Sequence, residues 1–299
     1  MTKTRAAVPI PAHSSLSCSA ETLSDCMPDH ESLLRQICRA LSPGNVCFQA
    51  GDKGLLSRMN SSAAVRFKLK ERITEPWQKA FVAIQVVLAK GDGTKMTRSF
   101  KQDSQRIMSG SRRVVHCLVE LLARQDSGLA LRNAFELKGA INGEAWHEGE
   151  AALRQIRGIG ASYAALLTKA GLGTLEKLKS AQPSQIEVAT RRNPPFGHQI
   201  QSAGRSIPTL ELDCCCKDDG DCSLVVLIRA RVEGASKKDA CHLLAILRAD
   251  DHQTLLHERI DAGRVNEHRL KVPYDDDPQE LTVSLMCASH GMRYGGIDV

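Results

Sequence analysis

Gly158 and Gly160, separated by the single apolar residue Ile159, interrupt a segment whose two flanks have helical patterns. Glycine adopts positive φ freely, so this spacing permits a tight hairpin between two helices. The second helix would begin at Ala161 with its first amide N–H groups unpaired and with a partial positive charge from the helix dipole. A phosphate oxygen fits such a helix start without contact to any base. The spacing therefore predicts either contact with a phosphate backbone or a hairpin that serves packing alone.

Polar side chains on both sides of the glycines would add to a phosphate contact. They are Arg154 and Arg157 before the hairpin, Ser162 just inside the second helix and Lys169 further along it. A second break follows at Gly171 and Gly173, after which Thr174 is placed to cap a third short helix.

A long amphipathic helix is predicted over residues 102–124. Its apolar face comprises Ile107, Ser111, Val114, Val115, Leu118, Leu121 and Leu122. A second face carries Arg112, Arg113 and His116 together with Ser109. Such a basic stripe is either solvated surface or a rail for a nucleic-acid strand.

The remaining patterns predict an α+β chain of several domains. Helical periodicity continues to about residue 204. Within this part, one short helix is expected to stop at Asn193, Pro194, Pro195 and Gly197. From residue 209 six short β-rich segments alternate with turn-forming clusters, which predicts an antiparallel sandwich of the immunoglobulin or fibronectin type with six or seven strands. We expect a disordered leader over residues 1–28, a helical bundle over 29–140, a helix-hairpin-helix unit over 141–204 and the β-sandwich over 205–299.

Charge divides the chain in the same way. Residues 1–205 contain 29 Lys and Arg against 17 Asp and Glu, whereas residues 206–299 contain 11 against 17. The basic helical part suits a polyanionic partner, and the acidic part does not. The sequence has no P-loop, no nucleophile signature and no paired C-x-x-C ligands around Cys214, Cys215 and Cys216. We therefore predict no cofactor, no metal site, no membrane partner and no catalysis by this chain.

Several stretches together resemble one known family. They are "ESLLRQICRA" with "VCFQAGDKGLLSRMN", "EPWQKAFVAIQVVLAKG", "DSQRIMSGSRRVVHCLVELL", "AWHEGEAALRQIRGIG", "AGLGTLEKL" and "RRNPPFGHQI". In order and content they look like the Sec-sixty-three domain at the C-terminal end of Ski-two-like ATP-dependent helicases. The "NPPFG" ending is most similar to the meiotic crossover DNA helicase subfamily. The resemblance covers roughly residues 29–299.

The resemblance implies a helical bundle, a helix-hairpin-helix unit and an immunoglobulin-like sandwich, in that order. It also implies that residues 109–120 match the ratchet helix of such helicases, so that Arg112, Arg113 and His116 would contact the strand that the motor domains pull. The expected function is a noncatalytic accessory module, or a truncated product, of a nuclear DNA helicase of meiotic homologous recombination. Its partners would be single-stranded or branched DNA, with motor domains or recombination proteins at the sandwich.

The sequence also departs from the family pattern. The 299 residues do not supply the two motor domains or the winged helix that precede this module in the family. Gln49 and Asp52 stand where an arginine and a glutamate are usual, which predicts a weaker local ion pair. Two other functions remain open, namely a cassette of the kind found in spliceosomal RNA helicases and a protein-interaction scaffold in which the hairpin only packs.

Overall fold

The computed structural model describes residues 29–89, 96–125, 127–146, 153–154, 156–218, 223–234, 241–248, 254–261, 263–273, 280–287 and 292–298. The leader expected over residues 1–28 and part of the helix expected before the glycine hairpin lie outside these ranges. The helices are α1 His30–Asn45, α2 Asp52–Ser61, α3 Pro76–Leu88, α4 Arg98–Leu122, α5 Gly128–Gly143, α6 Ala161–Lys169, α7 Leu175–Ser180, α8 Pro183–Thr190 and α9 Phe196–Arg205. The strands are β1 Thr209–Asp218, β2 Ser223–Glu233, β3 Cys241–Arg248, β4 Thr254–Ile260, β5 Val265–Pro273, β6 Glu280–Cys287 and β7 Met292–Asp298.

Helix α3 is the centre of the bundle formed by α1 to α5. Pro76 occupies its first turn, as the sequence predicts, and the Gln78 side chain accepts a hydrogen bond from the backbone N–H of Glu75 at 2.9 Å. Nearly all of its residues are buried, because the other helices of the bundle pack around it. The polar residues buried with it, Gln78, Lys79 and Gln85, all form hydrogen bonds, as buried polar groups must.

Helix α4 packs one of its faces against α3, and the opposite face of α4 is exposed to solvent. It begins at Arg98, earlier than the sequence pattern predicts, because the Thr97 side chain caps it by accepting from the backbone N–H of Phe100 at 3.2 Å. Most of the predicted apolar face is buried, including Ile107 and Val115, but Leu121 is 40% exposed, against the prediction. The helix is 25 residues long.

A buried ion pair joins α2, α3 and α4. The Lys79 ammonium group lies 2.6 Å from an Asp52 carboxylate oxygen and 2.7 Å from an Asp103 carboxylate oxygen, and it donates to the Cys47 carbonyl oxygen at 2.7 Å. Asp52 is therefore paired with Lys79 of α3, and the weaker pair expected from Gln49 and Asp52 stays a prediction. Loss of the lysine would leave two carboxylates in the interior without a counterion.

Helices α6 to α9 pack around a second, smaller core. Its buried members are Leu153, Ile156, Ile159, Ala164, Leu167, Leu178, Ala181, Ile186, Ile200 and Ile207. The sequence analysis missed α2 and α9, and it wrongly took Gly197 for a helix stop. Gly197 lies in the first turn of α9, which is capped by Pro195. Proline is tolerated just before a helix as well as just after one, so the sequence pattern alone did not show whether the prolines end one helix or precede the next.

The seven strands form two antiparallel sheets, in the orders β1-β2-β5 and β4-β3-β6-β7. Strand β2 alternates as expected for a half-buried strand, with Ile228 and Ala230 in the core and Arg229 and Arg231 exposed. Helices followed by antiparallel sheets give the mixed α+β class that the sequence predicts. The second of these sheets contacts the bundle through Met286 of β6, which packs in the bundle core.

Candidate nucleic-acid interface

The two glycines lie just before α6, and they do different things. Gly158 has φ +96°, in the region that favours glycine, and a Cβ atom there would lie 3.0 Å from Cδ1 of Ile200. Gly160 has φ −89° and caps α6, and a Cβ atom on it would meet no other atom within 4 Å. The positive φ expected of the hairpin therefore falls on Gly158 alone. Helix α6 begins at Ala161, as predicted, and Thr174 caps α7 as predicted.

The predicted polar side chains divide into exposed and inward-facing groups. Arg157, Ser162 and Lys169 are exposed. Arg154 is partly buried and donates to the carbonyl oxygen of Ala89 at 2.9 Å, just past the end of α3. This contact gives Arg154 a role in fastening the hairpin unit to the bundle. Arg157 also lines an open groove of about 640 Å³ between the hairpin and α9.

A cation–aromatic cluster beside α6 was missed by the sequence analysis. The guanidinium group of Arg192 lies 5.6 Å from the ring centroid of Tyr163, the third residue of α6, and 5.6 Å from that of Phe196. The two rings are themselves 5.3 Å apart. The adjacent arginines before "NPPFG" were visible in the sequence, but their proximity to Tyr163 depends on how α8 and α9 fold back.

The three residues predicted on the long helix also differ from one another. A nitrogen of Arg112 lies 2.7 Å from a carboxylate oxygen of Glu144, just past the end of α5. His116 has its Nδ1 atom 3.2 Å from Nζ of Lys138 on α5, and burial lowers the pKa of that lysine. Arg113 is exposed and forms no ion pair with any described residue. Of the three, Arg113 is the one whose charge is fully available to a ligand.

Three further cations share the exposed face of α4 with Arg113. They are Arg98, Lys101 and Arg106, and all three are exposed. At 3.6 residues per turn, the four cations fall within an arc of about 140° and along about 22 Å of the helix. Glu120 is the one exposed acidic residue of α4. We call these four cations the α4 basic face. Its first two members were missed because the predicted helix began after them.

The remaining titratable groups concern metal binding and thiol protonation. Within the described ranges, no group of three or more His, Cys, Asp or Glu side chains is arranged to hold a metal ion. Burial, with the nearby Asp213 carboxylate, raises the pKa of the Cys214 thiol to about 11, so this thiol is protonated at neutral pH. Among the described helices, none has the length and apolarity to span a bilayer.

A family model for the Sec63 Brl domain matches residues 12–294. The ATP-dependent DNA helicase MER3 homolog of Oryza sativa subsp. japonica is 27% identical over 286 residues, which cover 90% of this chain and 23% of the rice protein. The probable ATP-dependent DNA helicase HFM1 of Xenopus tropicalis is 25% identical over 230 residues, or 72% of this chain and 17% of the frog protein. The ATP-dependent DNA helicase MER3 of Saccharomyces cerevisiae is 22% identical over 237 residues, which cover 74% of this chain and 20% of the yeast protein. The chain thus spans about a fifth of the length of these relatives.

Proposed function

Because this chain belongs to the Sec63 Brl domain family and is homologous to MER3 and HFM1 helicases, we propose that it is a helicase-associated module that contacts the DNA backbone without sequence preference. The α4 basic face carries this proposal. Four exposed cations on one side of a straight helix offer a line of charge to a single strand. Lysine and arginine contacts with phosphates give affinity and position but read no bases.

The α4 basic face also fits the ratchet role that the resemblance implies. Strand contact through this face requires Arg113 and its neighbours. Arg112 and His116 would contribute less, because Arg112 is paired with Glu144 and His116 lies beside Lys138. We treat the hairpin unit, with Gly158, Gly160, Ser162, Arg157 and Lys169, as a second backbone contact. Contact at both places would hold a strand at two points of the module.

We further propose the domain division expected from the sequence, with helix-hairpin-helix and fibronectin-like units. The order β1-β2-β5 against β4-β3-β6-β7 supports a fibronectin-type sandwich. Its exposed outer face carries cross-strand ion pairs, such as Arg229 to Glu267 at 2.9 Å, which suit a protein partner or a motor domain better than DNA. The meiotic relatives favour a nuclear location and a role in recombination.

Salt-dependent binding of fluorescent oligothymidylate by the full chain tests this function. We expect the double variant Arg106→Glu with Arg113→Glu to bind less tightly and to lower the slope of log K against log salt by about 1.4, since each phosphate contact contributes about 0.7. A matched control reverses Lys217 and Arg264, two exposed cations of the sandwich. The proposal fails if the wild-type chain shows no salt-dependent binding, or if test and control variants bind alike.

Two further measurements bear on the same proposal. Competition between DNA and RNA strands of matched sequence separates a DNA module from an RNA cassette, because RNA alone offers a 2′-hydroxyl group. The isolated 299-residue chain is expected to hydrolyse no ATP in the presence of single-stranded DNA, since no phosphate-binding loop is found in its sequence. Steady, DNA-stimulated hydrolysis by the pure chain would contradict this expectation.

A further inference from the structure

Residues 65–72 form an irregular segment between α2 and α3, and burial alternates along residues 65–70. Val65 is 2% exposed and Leu69 is 5% exposed, and Phe67 packs partly buried against the bundle core. The residues between and after them are exposed cations, namely Arg66, Lys68, Lys70 and Arg72. We call these four residues the basic strip. Neither a helix nor a sheet contains it.

Two side-chain amides fix the backbone of this segment at Phe67 and Leu69. The Gln85 side chain, fully buried in α3, accepts from the backbone N–H of Phe67 at 2.7 Å and donates to its carbonyl oxygen at 3.1 Å. The Asn60 side chain makes the same pair of bonds with Leu69, each at 2.9 Å. Each amide thus satisfies both the N–H and the carbonyl group of one residue, as a neighbouring β-strand would. The ordering of the segment is complete before any ligand arrives, which lowers the entropic cost of binding.

The charge of the basic strip is largely uncompensated. Lys68, Lys70 and Arg72 form no ion pair with any described residue. The one acidic residue within the segment, Glu71, lies 3.4 Å from a guanidinium nitrogen of Arg35 on α1. A row of exposed cations without partners is suited to a polyanion.

Aromatic rings lie at one end of the strip. The guanidinium group of Arg66 is 5.3 Å from the ring centroid of Trp146 and 5.8 Å from that of Phe67. The two rings meet edge to face with centroids 6.1 Å apart. Cations interleaved with aromatic rings are typical of surfaces that bind single-stranded nucleic acids.

The same end of the strip is linked to α4 through Trp146 and Glu144. Trp146 follows Glu144 by two residues, and Glu144 holds Arg112 of α4. We propose that the basic strip is a third contact for single-stranded nucleic acid, in addition to the α4 basic face and the hairpin unit, and that it continues from the α4 basic face past Trp146 to Arg66, Lys68 and Lys70. This inference rests on the proposed function.

Oligothymidylates of two lengths test the strip in the full chain. The double variant Lys68→Glu with Lys70→Glu changes only exposed side chains, and Lys217→Glu with Arg264→Glu is again the matched control. The charged part of α4 spans about 22 Å, so α4 alone can bind the whole of an oligonucleotide of roughly 6 residues. An oligonucleotide of roughly 20 residues is long enough to contact the strip as well. For the longer oligonucleotide we expect affinity to fall about 10-fold or more at low salt and the salt slope to fall by about 1.4. For the shorter one we expect less than about a twofold change.

The alternative outcomes separate this inference from the proposed function. If the strip variant matches the control at both lengths while the Arg106 and Arg113 variant loses binding, the strip is not a contact and the α4 proposal stands. If the strip variant loses affinity for polyglutamate but keeps it for the oligonucleotide, the partner is an acidic protein and the inference is wrong. If no oligonucleotide binds the wild-type chain, both proposals fall.

Discussion

Gly197 at the start of α9 is expected to be irreplaceable even by alanine. A Cβ atom there would lie 2.1 Å from the carbonyl oxygen of Pro183, 2.6 Å from its carbonyl carbon and 2.9 Å from its Cα atom. All three are backbone atoms, which cannot rotate away as a side chain would. Helices α8 and α9 would have to separate, and overpacking of this kind typically costs about 1–3 kcal/mol. With backbone atoms as the obstacle, we expect the upper end of that range for Gly197→Ala.

Gly204, in the same helix, provides a matched control. The atoms nearest to a Cβ at Gly204 belong to Leu175, Leu178 and Lys179, each at 3.9 Å, which is ordinary contact. Alanine is better than glycine inside a helix by about 1 kcal/mol. Gly204→Ala is therefore expected to be neutral or stabilising, and the two variants should differ by about 3–4 kcal/mol in free energy of unfolding.

Urea unfolding of the full chain, followed by circular dichroism, measures this difference, and hydrogen exchange of α8 and α9 amides shows whether it is local. We expect Gly197→Ala to lower both the urea midpoint and the protection of these amides. If both variants unfold within about 1 kcal/mol of each other, the close approach to Pro183 is not what requires glycine, and the steric argument is refuted.

Three further outcomes follow from the packing and charges described above. Gly158→Ala is expected to destabilise the chain by about 1–2 kcal/mol because of its positive φ, and Gly160→Ala by less than about 1 kcal/mol; equal urea midpoints would contradict this order. Lys79→Met should cost about 3–5 kcal/mol, because it leaves the buried Asp52 carboxylate and the partly buried Asp103 carboxylate without their cation, and a melting temperature like that of wild type would oppose the ion-pair argument. Burial, then the neighbouring His257, lowers the pKa of His242 to about 3. An imidazole in the unfolded chain has a pKa of about 6.5, so His242 should not change the free energy of unfolding above about pH 6.5. Below that pH the unfolded state binds a proton that the folded state does not, so the free energy of unfolding should fall, by about 2 kcal/mol at pH 5. His242→Gln should flatten the dependence of urea midpoint on pH, and an unchanged pH profile would count against it.

Local sequence determined the secondary structure of most of the chain. Pro76, Thr174 and the alternation along β2 act through neighbours a few residues away, so a single sequence carries their full signal. The α+β class follows from the change of period near residue 209. The prediction failed at Gly197, because proline and glycine mark a helix start as well as a helix end. It also failed at the start of α4, because the capping Thr97 precedes the apolar pattern.

Tertiary structure alone decided which of the cations are available. Arg154 reaches the Ala89 carbonyl across 65 residues of chain, and Arg112 reaches Glu144 across 32. Two side chains of one type, Arg112 and Arg113, are adjacent in sequence yet differ in partner, because a helix turns them toward different neighbours. The basic strip owes its shape to Gln85, which is 18 residues from Phe67. The sequence therefore determined where charge and glycine occur, and the packing of distant segments decided which of them face solvent, because that choice depends on contacts no local pattern encodes.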